Sequence, residues 1–92
     1  RRARQVPVDA APRRFVFLLL DRFTLLSFAS AIEPLRIANY VAGRTLYSWV
    51  LAGEGGVEAV SSNGAAFKLD MGLDEIDRDD TVLVCGGLDV QR

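Results

Sequence analysis

Histidine is absent from this sequence, and cysteine, methionine and tryptophan occur once each. A lone cysteine excludes an intramolecular disulfide framework, so a reducing cytoplasm is the expected compartment. Without histidine, that cysteine lacks the base that usually turns such a thiol into a nucleophile. Long apolar runs are also missing. The longest, Phe15 to Leu20, is far short of the ~20 residues that span a bilayer. Arg13 and Arg14 precede it in the manner of a signal peptide. Asp21 and Arg22 end it at once, however, with no small-residue cleavage site behind them. Neither sign of charge dominates, since the formal net charge is −1 and half of the residues are hydrophobic. Such a balance fits a soluble globular domain and excludes both a disordered tail and a polycation that coats nucleic acid.

What charge there is lies unevenly. Arg1, Arg2, Arg4, Arg13 and Arg14 stand among alanines and prolines, and residues 1–13 are expected to form a disordered basic leader that aids solubility. Asp74, Glu75, Asp77, Asp79 and Asp80 cluster near the other end without the alternating ligands, central glycine and closing glutamate of a calcium loop. They are expected to be a solvated helix end and turn. No metal or cofactor site is expected.

From Arg14 onward the pattern is that of an α/β protein. Phe15 to Leu20 has no polar alternation, which suits a strand buried on both faces of a parallel sheet. A polar turn, Asp21 to Thr24, leads into a helical pattern that reaches about Val41. Its expected buried face is Leu26, Ala29, Ala31, Ile32, Leu35, Ala38 and Val41, and Gly43 is the expected stop. Pro34 predicts a kink or a helix that restarts there. Tyr47 to Ala52 reads as a second strand, and Val57 to Ser61 as a short third one ending at the Asn63-Gly64 turn. Phe67, Leu69 and Met71 alternate as a further extended edge. A brief helix around Leu73 to Ile76 precedes a last buried strand, Thr81 to Cys85. With one long helix in view, one sheet face is expected to stay bare, and the chain reads as the first half of a flavodoxin-like domain.

Two glycine clusters invite chemistry. Gly53-Glu-Gly-Gly56 lacks the lysine and spacing of a phosphate loop and is expected to be a turn. Cys85-Gly86-Gly87, at the end of the last strand, resembles a nucleophile elbow. A buried Cys85 followed by a backbone turn is the preferred reading, with Gly86 and Gly87 at the carboxyl edge, where ligands of open α/β sheets gather. Glu33 is expected to be an ordinary helix-surface residue, and Ser27 and Ser30 polar contacts or caps near the helix start.

Phe15 to Leu20, Phe23-Thr-Leu-Leu-Ser-Phe-Ala-Ser-Ala-Ile-Glu-Pro-Leu-Arg-Ile-Ala-Asn39, Leu46-Tyr-Ser-Trp49, Ser62-Asn-Gly64 and Val82-Leu-Val-Cys-Gly-Gly-Leu-Asp-Val90 together resemble the GlxA-type regulators of the AraC family. The resemblance covers Phe15 to Arg92. It implies a ThiJ/PfpI-like (class I glutamine amidotransferase-like) N-terminal domain, joined in the family to a DNA-binding domain with two helix-turn-helix units. It further implies that Cys85 is not the nucleophile of the wider superfamily, which sits on a later elbow. The superfamily's acidic partner falls at Ser27, which cannot act as a carboxylate. The resemblance therefore implies a non-enzymatic sensor domain whose pocket edge is Ser27, Cys85, Gly86, Gly87 and Leu88. Its effector would be a small nitrogenous metabolite, an amino acid or a quaternary ammonium compound. DNA contact would come only through the C-terminal domain, with a homodimer in the full-length regulator and no membrane association. The alternative is part of a ThiJ/PfpI-like cysteine hydrolase or amidotransferase.

Overall fold

The computed structural model describes residues 11–87; Leu88 and most of the basic leader fall outside them. Strand β1 (Arg13–Leu19) is central in a three-stranded sheet, with β2 (Tyr47–Ala52) on one side and β5 (Thr81–Cys85) on the other. Both pairings are parallel, with Phe17 in register with Leu51 and with Leu83. Helix α1 (Leu25–Ala42) links β1 to β2, and a 3-10 turn (Leu73–Glu75) precedes β5. The α/β order and the parallel sheet are therefore as the apolar runs imply. Strand β1 starts at Arg13, inside the stretch expected to be leader.

Alternation along the strands builds two apolar layers. Phe17, Leu19 and Cys85 turn to one face, where Phe28, Ala31, Ile32 and Leu35 of α1 pack against them. Phe17, Phe23, Phe28 and Phe67 meet edge-on there, with ring centroids 5.4–6.1 Å apart, an arrangement that suits their quadrupoles. Val16 and Ala52 turn to the other face and are fully buried under Met71 and Ile76. The expected bare face is thus partly covered by the segment leading to β5. Val84 on the edge strand remains 62% exposed.

Strands β3 (Glu58–Val60) and β4 (Ala66–Lys68) form a separate antiparallel hairpin around the Asn63-Gly64 turn. Ser61 stabilises that turn: its hydroxyl donates to Asn63 Oδ1 and accepts from the Ala65 N–H at 3.1 Å. Ala59 and Phe67 bring the hairpin onto the helix-side core.

Helix α1 is one continuous element with Pro34 inside it, so no restart occurs. Thr24 caps its start, accepting from Ser27 N at 3.1 Å, and Gly43, at φ 71°, closes it in the left-handed conformation glycine favours. Its inward stripe differs from the expected one. Leu26 and Val41 point to solvent, and Phe28 and Asn39 take up inward positions. Asn39 fixes the helix to the next strand. Its Oδ1 accepts from Leu46 N at 2.7 Å and Tyr47 N at 3.0 Å, while its Nδ2 donates to Tyr47 O at 3.0 Å.

Candidate functional site

The order β2-β1-β5 reverses direction at β1, so a topological switch point lies between β1 and β5. Leu20 to Thr24, leaving β1, meets Gly86 and Gly87, leaving β5, at the carboxyl edge of this point. Four backbone hydrogen bonds fasten the loop. Leu20 N donates to Cys85 O at 3.1 Å, Arg22 N to Val60 O at 2.9 Å and Thr24 N to Gly86 O at 3.0 Å. Ser62 N in turn donates to Phe23 O at 2.7 Å. Arg22 adopts φ 62°, rare for a residue with a side chain.

Ser27 joins this corner from the first turn of α1. Its hydroxyl lies 2.8 Å from Thr24 O and 3.2 Å from Gly86 O, two acceptors for one proton. The structure thus brings Ser27 and Gly86 together and gives the serine a task that a carboxylate cannot perform: donating to carbonyl oxygens. The two glycines differ. A Cβ at Gly86 would meet nothing within 4 Å, whereas one at Gly87 would lie 2.1 Å from the Arg22 carbonyl oxygen. Only glycine fits at position 87 without displacing the loop.

Cys85 sits behind this corner, 2% exposed, against Leu19 and its neighbours. Burial pushes its thiol pKa above the usual 9.0, the opposite of what a nucleophilic thiolate requires. Among the described residues no cluster of His, Cys, Asp or Glu could hold a metal ion. Nor is any helix among them long and apolar enough to cross a membrane.

On the β1–β2 side of the same edge lies an open cavity of about 180 Å3. Leu19, Ala59 and Val60 line it together with three acidic residues, Asp21, Glu54 and Glu58. The sequence reading missed this cavity, and none of Ser27, Cys85, Gly86 and Gly87 lines it. The three acids come from three separate loops and strands, and each looks like an ordinary surface charge. Only their positions after β1, after β2 and at the start of β3 could have hinted at a shared edge.

These features define an open parallel α/β unit with its switch point between β1 and β5. No protein-family model matches the chain. Among known proteins, it is 45% identical over 86 residues to the HTH-type transcriptional regulator GbdR of Pseudomonas aeruginosa, covering 94% of this chain and 23% of that protein. It is 43% identical over 79 residues to the HTH-type transcriptional regulator GlxA of Rhizobium meliloti, covering 82% and 23%. CdhR of P. aeruginosa, likewise an HTH-type transcriptional regulator, is 39% identical over 79 residues, covering 85% and 23%. The crystal structure of an AraC family transcriptional regulator from Pseudomonas putida superimposes with a TM-score of 0.71 at 26% identity, over 85% of this chain and 49% of that one. The chain's relatives are therefore transcription regulators, and it spans about a quarter of their length.

Proposed function

We propose that this chain is the N-terminal part of the ligand-sensing domain of an AraC-family transcription regulator, and that it is not an enzyme. The observation that carries the reading is the tied corner of Ser27, Gly86 and Gly87 at the switch point, in a chain whose relatives regulate transcription. Open α/β sheets bind ligands at such a crevice. The pocket edge runs from this corner toward the cavity, with Cys85 as packing behind it; Leu88, assigned to the same edge by the resemblance, lies outside the described residues.

The effector is a small nitrogenous metabolite, an amino acid or a quaternary ammonium compound. Asp21, Glu54 and Glu58 supply the negative field for its cationic nitrogen, and recognition by these residues rests on charge pairing. Effector binding biases the geometry of a cytoplasmic homodimer, and with it the placement of helix-turn-helix units, supplied elsewhere in the regulator, on two half-sites.

Thermal-shift titration tests this. Cationic amines, quaternary ammonium compounds and amino acids are compared with neutral isosteres of the same size. At about 100 times its dissociation constant, an effector adds roughly 2.7 kcal/mol to stability. The expected gain is lost in the Asp21→Asn/Glu54→Gln/Glu58→Gln variant. A neutral isostere that stabilises equally, or a gain that survives in the triple variant, removes the charge-pairing reading.

A further inference from the structure

The segment between β4 and the 3-10 turn crosses the outer edge of β2 and passes from one face of the sheet to the other. Leu69 is buried in the helix-side core, and two residues later Met71 is buried on Val16 and Ala52 of the opposite face. Asp70, between them, holds the edge. Its N–H donates to Leu51 O at 2.7 Å, and its Oδ2 accepts from Leu51 N at 2.8 Å.

The turn of residues 53–56 stands on this segment at both ends. Gly56 N closes the turn by donating to Gly53 O at 3.1 Å, and Gly53 N donates to Met71 O at 3.2 Å. At the other end a Cβ on Gly56 would lie 2.9 Å from Gly72 N and 3.1 Å from Gly72 Cα. Gly72 is held in turn, its N–H donating to Glu75 Oε2 at 2.9 Å. Glu54, inside this turn, is one of the residues lining the cavity. Asp21 and Glu58 reach the cavity from the loop after β1 and from β3, so they have other supports. A displaced turn is felt at Gly72, because backbone packed on backbone leaves no side chain to absorb the movement.

We propose that Gly56 and Gly72 are positioning residues for Glu54, and that their close approach couples occupation of the cavity to residues 70–75. The coupling rests on the cavity reading of the proposed function and gives it an outlet. An effector that draws on Glu54 shifts the turn against Gly72, and the change emerges where Met71 covers Val16 and Ala52, on the sheet face away from α1. Coupling between two sites is reciprocal. Loosening residues 72–75 must therefore weaken binding at a cavity they do not line.

Hydrogen exchange and binding titration of the 92-residue chain test this, with tetramethylammonium as the probe. In the free chain Gly56→Ala is expected to speed exchange at Gly53 N and Gly72 N about tenfold or more, since the overpacking is relieved only by parting the turn from Gly72. Gly55→Ala is the control. Gly55 shares a positive φ, 82°, but a Cβ there meets nothing within 4 Å, so exchange at Gly72 N should stay within about threefold. Equal effects of the two alanines at Gly72 N overturn the positioning role. Glu75→Ala, which frees Gly72 N, is expected to weaken tetramethylammonium binding about threefold to tenfold, and saturating probe should slow exchange at Gly72 N in the unmodified chain. Glu75→Gln removes the charge but keeps an acceptor, so it should bind within about twofold of the unmodified chain. Equal weakening in both Glu75 variants marks a long-range charge effect and overturns the coupling. Binding that weakens in Glu54→Gln but ignores Gly56→Ala and Glu75→Ala overturns the coupling and leaves the cavity reading standing. A chain that binds no tetramethylammonium overturns the cavity reading, while the comparison of Gly56→Ala with Gly55→Ala, which needs no ligand, still decides the positioning role.

Discussion

The carbonyl oxygen of Arg22 occupies the space a side chain at Gly87 would need, 2.1 Å from where its Cβ would stand. That close approach leaves no room for a side chain between the loop leaving β1 and the turn leaving β5. Gly87→Ala is expected to push the two apart and to destabilise by about 1–3 kcal/mol, the usual cost of overpacking. Gly86→Ala, with open space around the new methyl, should stay within about 0.5 kcal/mol, as surface substitutions do. Urea unfolding of the two variants measures the contrast, and equal effects would mean that the loop yields freely.

Ser27 divides one proton between Thr24 O and Gly86 O. Ser27→Ala is expected to cost about 1 kcal/mol, one ordinary hydrogen bond, because Gly86 O keeps the N–H of Thr24. Ser27→Asp should cost more at pH 7, since a carboxylate has only lone pairs to offer to two carbonyls. Protonation lets the new acid donate, which raises its pKa in the folded state. The loss should therefore be small below about pH 4, the unfolded value, and grow as the pH rises through the folded one. A Ser27→Asp variant as stable at pH 7 as at pH 4 would remove the donor role.

Much of this corner was legible in the sequence because Phe15 to Leu20 and Thr81 to Cys85 are continuous apolar runs of the kind parallel strands leave, although Val84 of the edge strand is 62% exposed. Ser27 and Gly86 were paired through family resemblance; nothing in their spacing announces a contact 59 positions apart. The inward stripe of α1 was harder. Its outer face is nearly as apolar as its inner one, so periodicity alone could not choose between Leu26 and Phe28. Asn39 escaped notice as a tether because a polar residue on a helix looks solvent-facing until the next strand is placed beside it. The cavity depends on two loops and the start of β3 converging, which no local pattern encodes.

Asn39 carries three hydrogen bonds to the backbone at Leu46 and Tyr47. Asn39→Ala leaves two N–H groups and one carbonyl in a half-buried setting, and about 2–4 kcal/mol of stability should be lost. Asn39→Asp keeps an acceptor for both N–H groups but sets its second oxygen against Tyr47 O, so it should cost less than Asn39→Ala only below about pH 4, where the protonated acid can donate. Hydrogen exchange at Leu46 and Tyr47 separates a local effect from a global one. Protection there should fall in Asn39→Ala ahead of protection in β1, and a uniform fall would mean that the asparagine does not act as a tether.

Cys85 supplies a test of the non-enzymatic reading. Its side chain is buried beside Leu19 and Phe23 and its thiol pKa is pushed above 9.0 by that burial. Alkylation at pH 7 should therefore be slow in the folded chain and should accelerate on unfolding, because a thiolate forms only once the thiol meets water. The same shift sets a pH dependence. The folded state holds the proton more tightly than the unfolded chain, whose thiol titrates at the ordinary value. This contribution is thus fully present at neutral pH, declines as the pH passes the unfolded value, and is gone above the folded one. Cys85→Ala should remove that alkaline decline and cost roughly 1 kcal/mol for the lost sulfur contacts. Effector binding, by contrast, should change by no more than a few-fold, since the sulfur lies behind the pocket edge. Rapid stoichiometric alkylation of the folded chain at pH 7 would reverse the assignment, marking Cys85 as an activated thiol and reopening the hydrolase alternative.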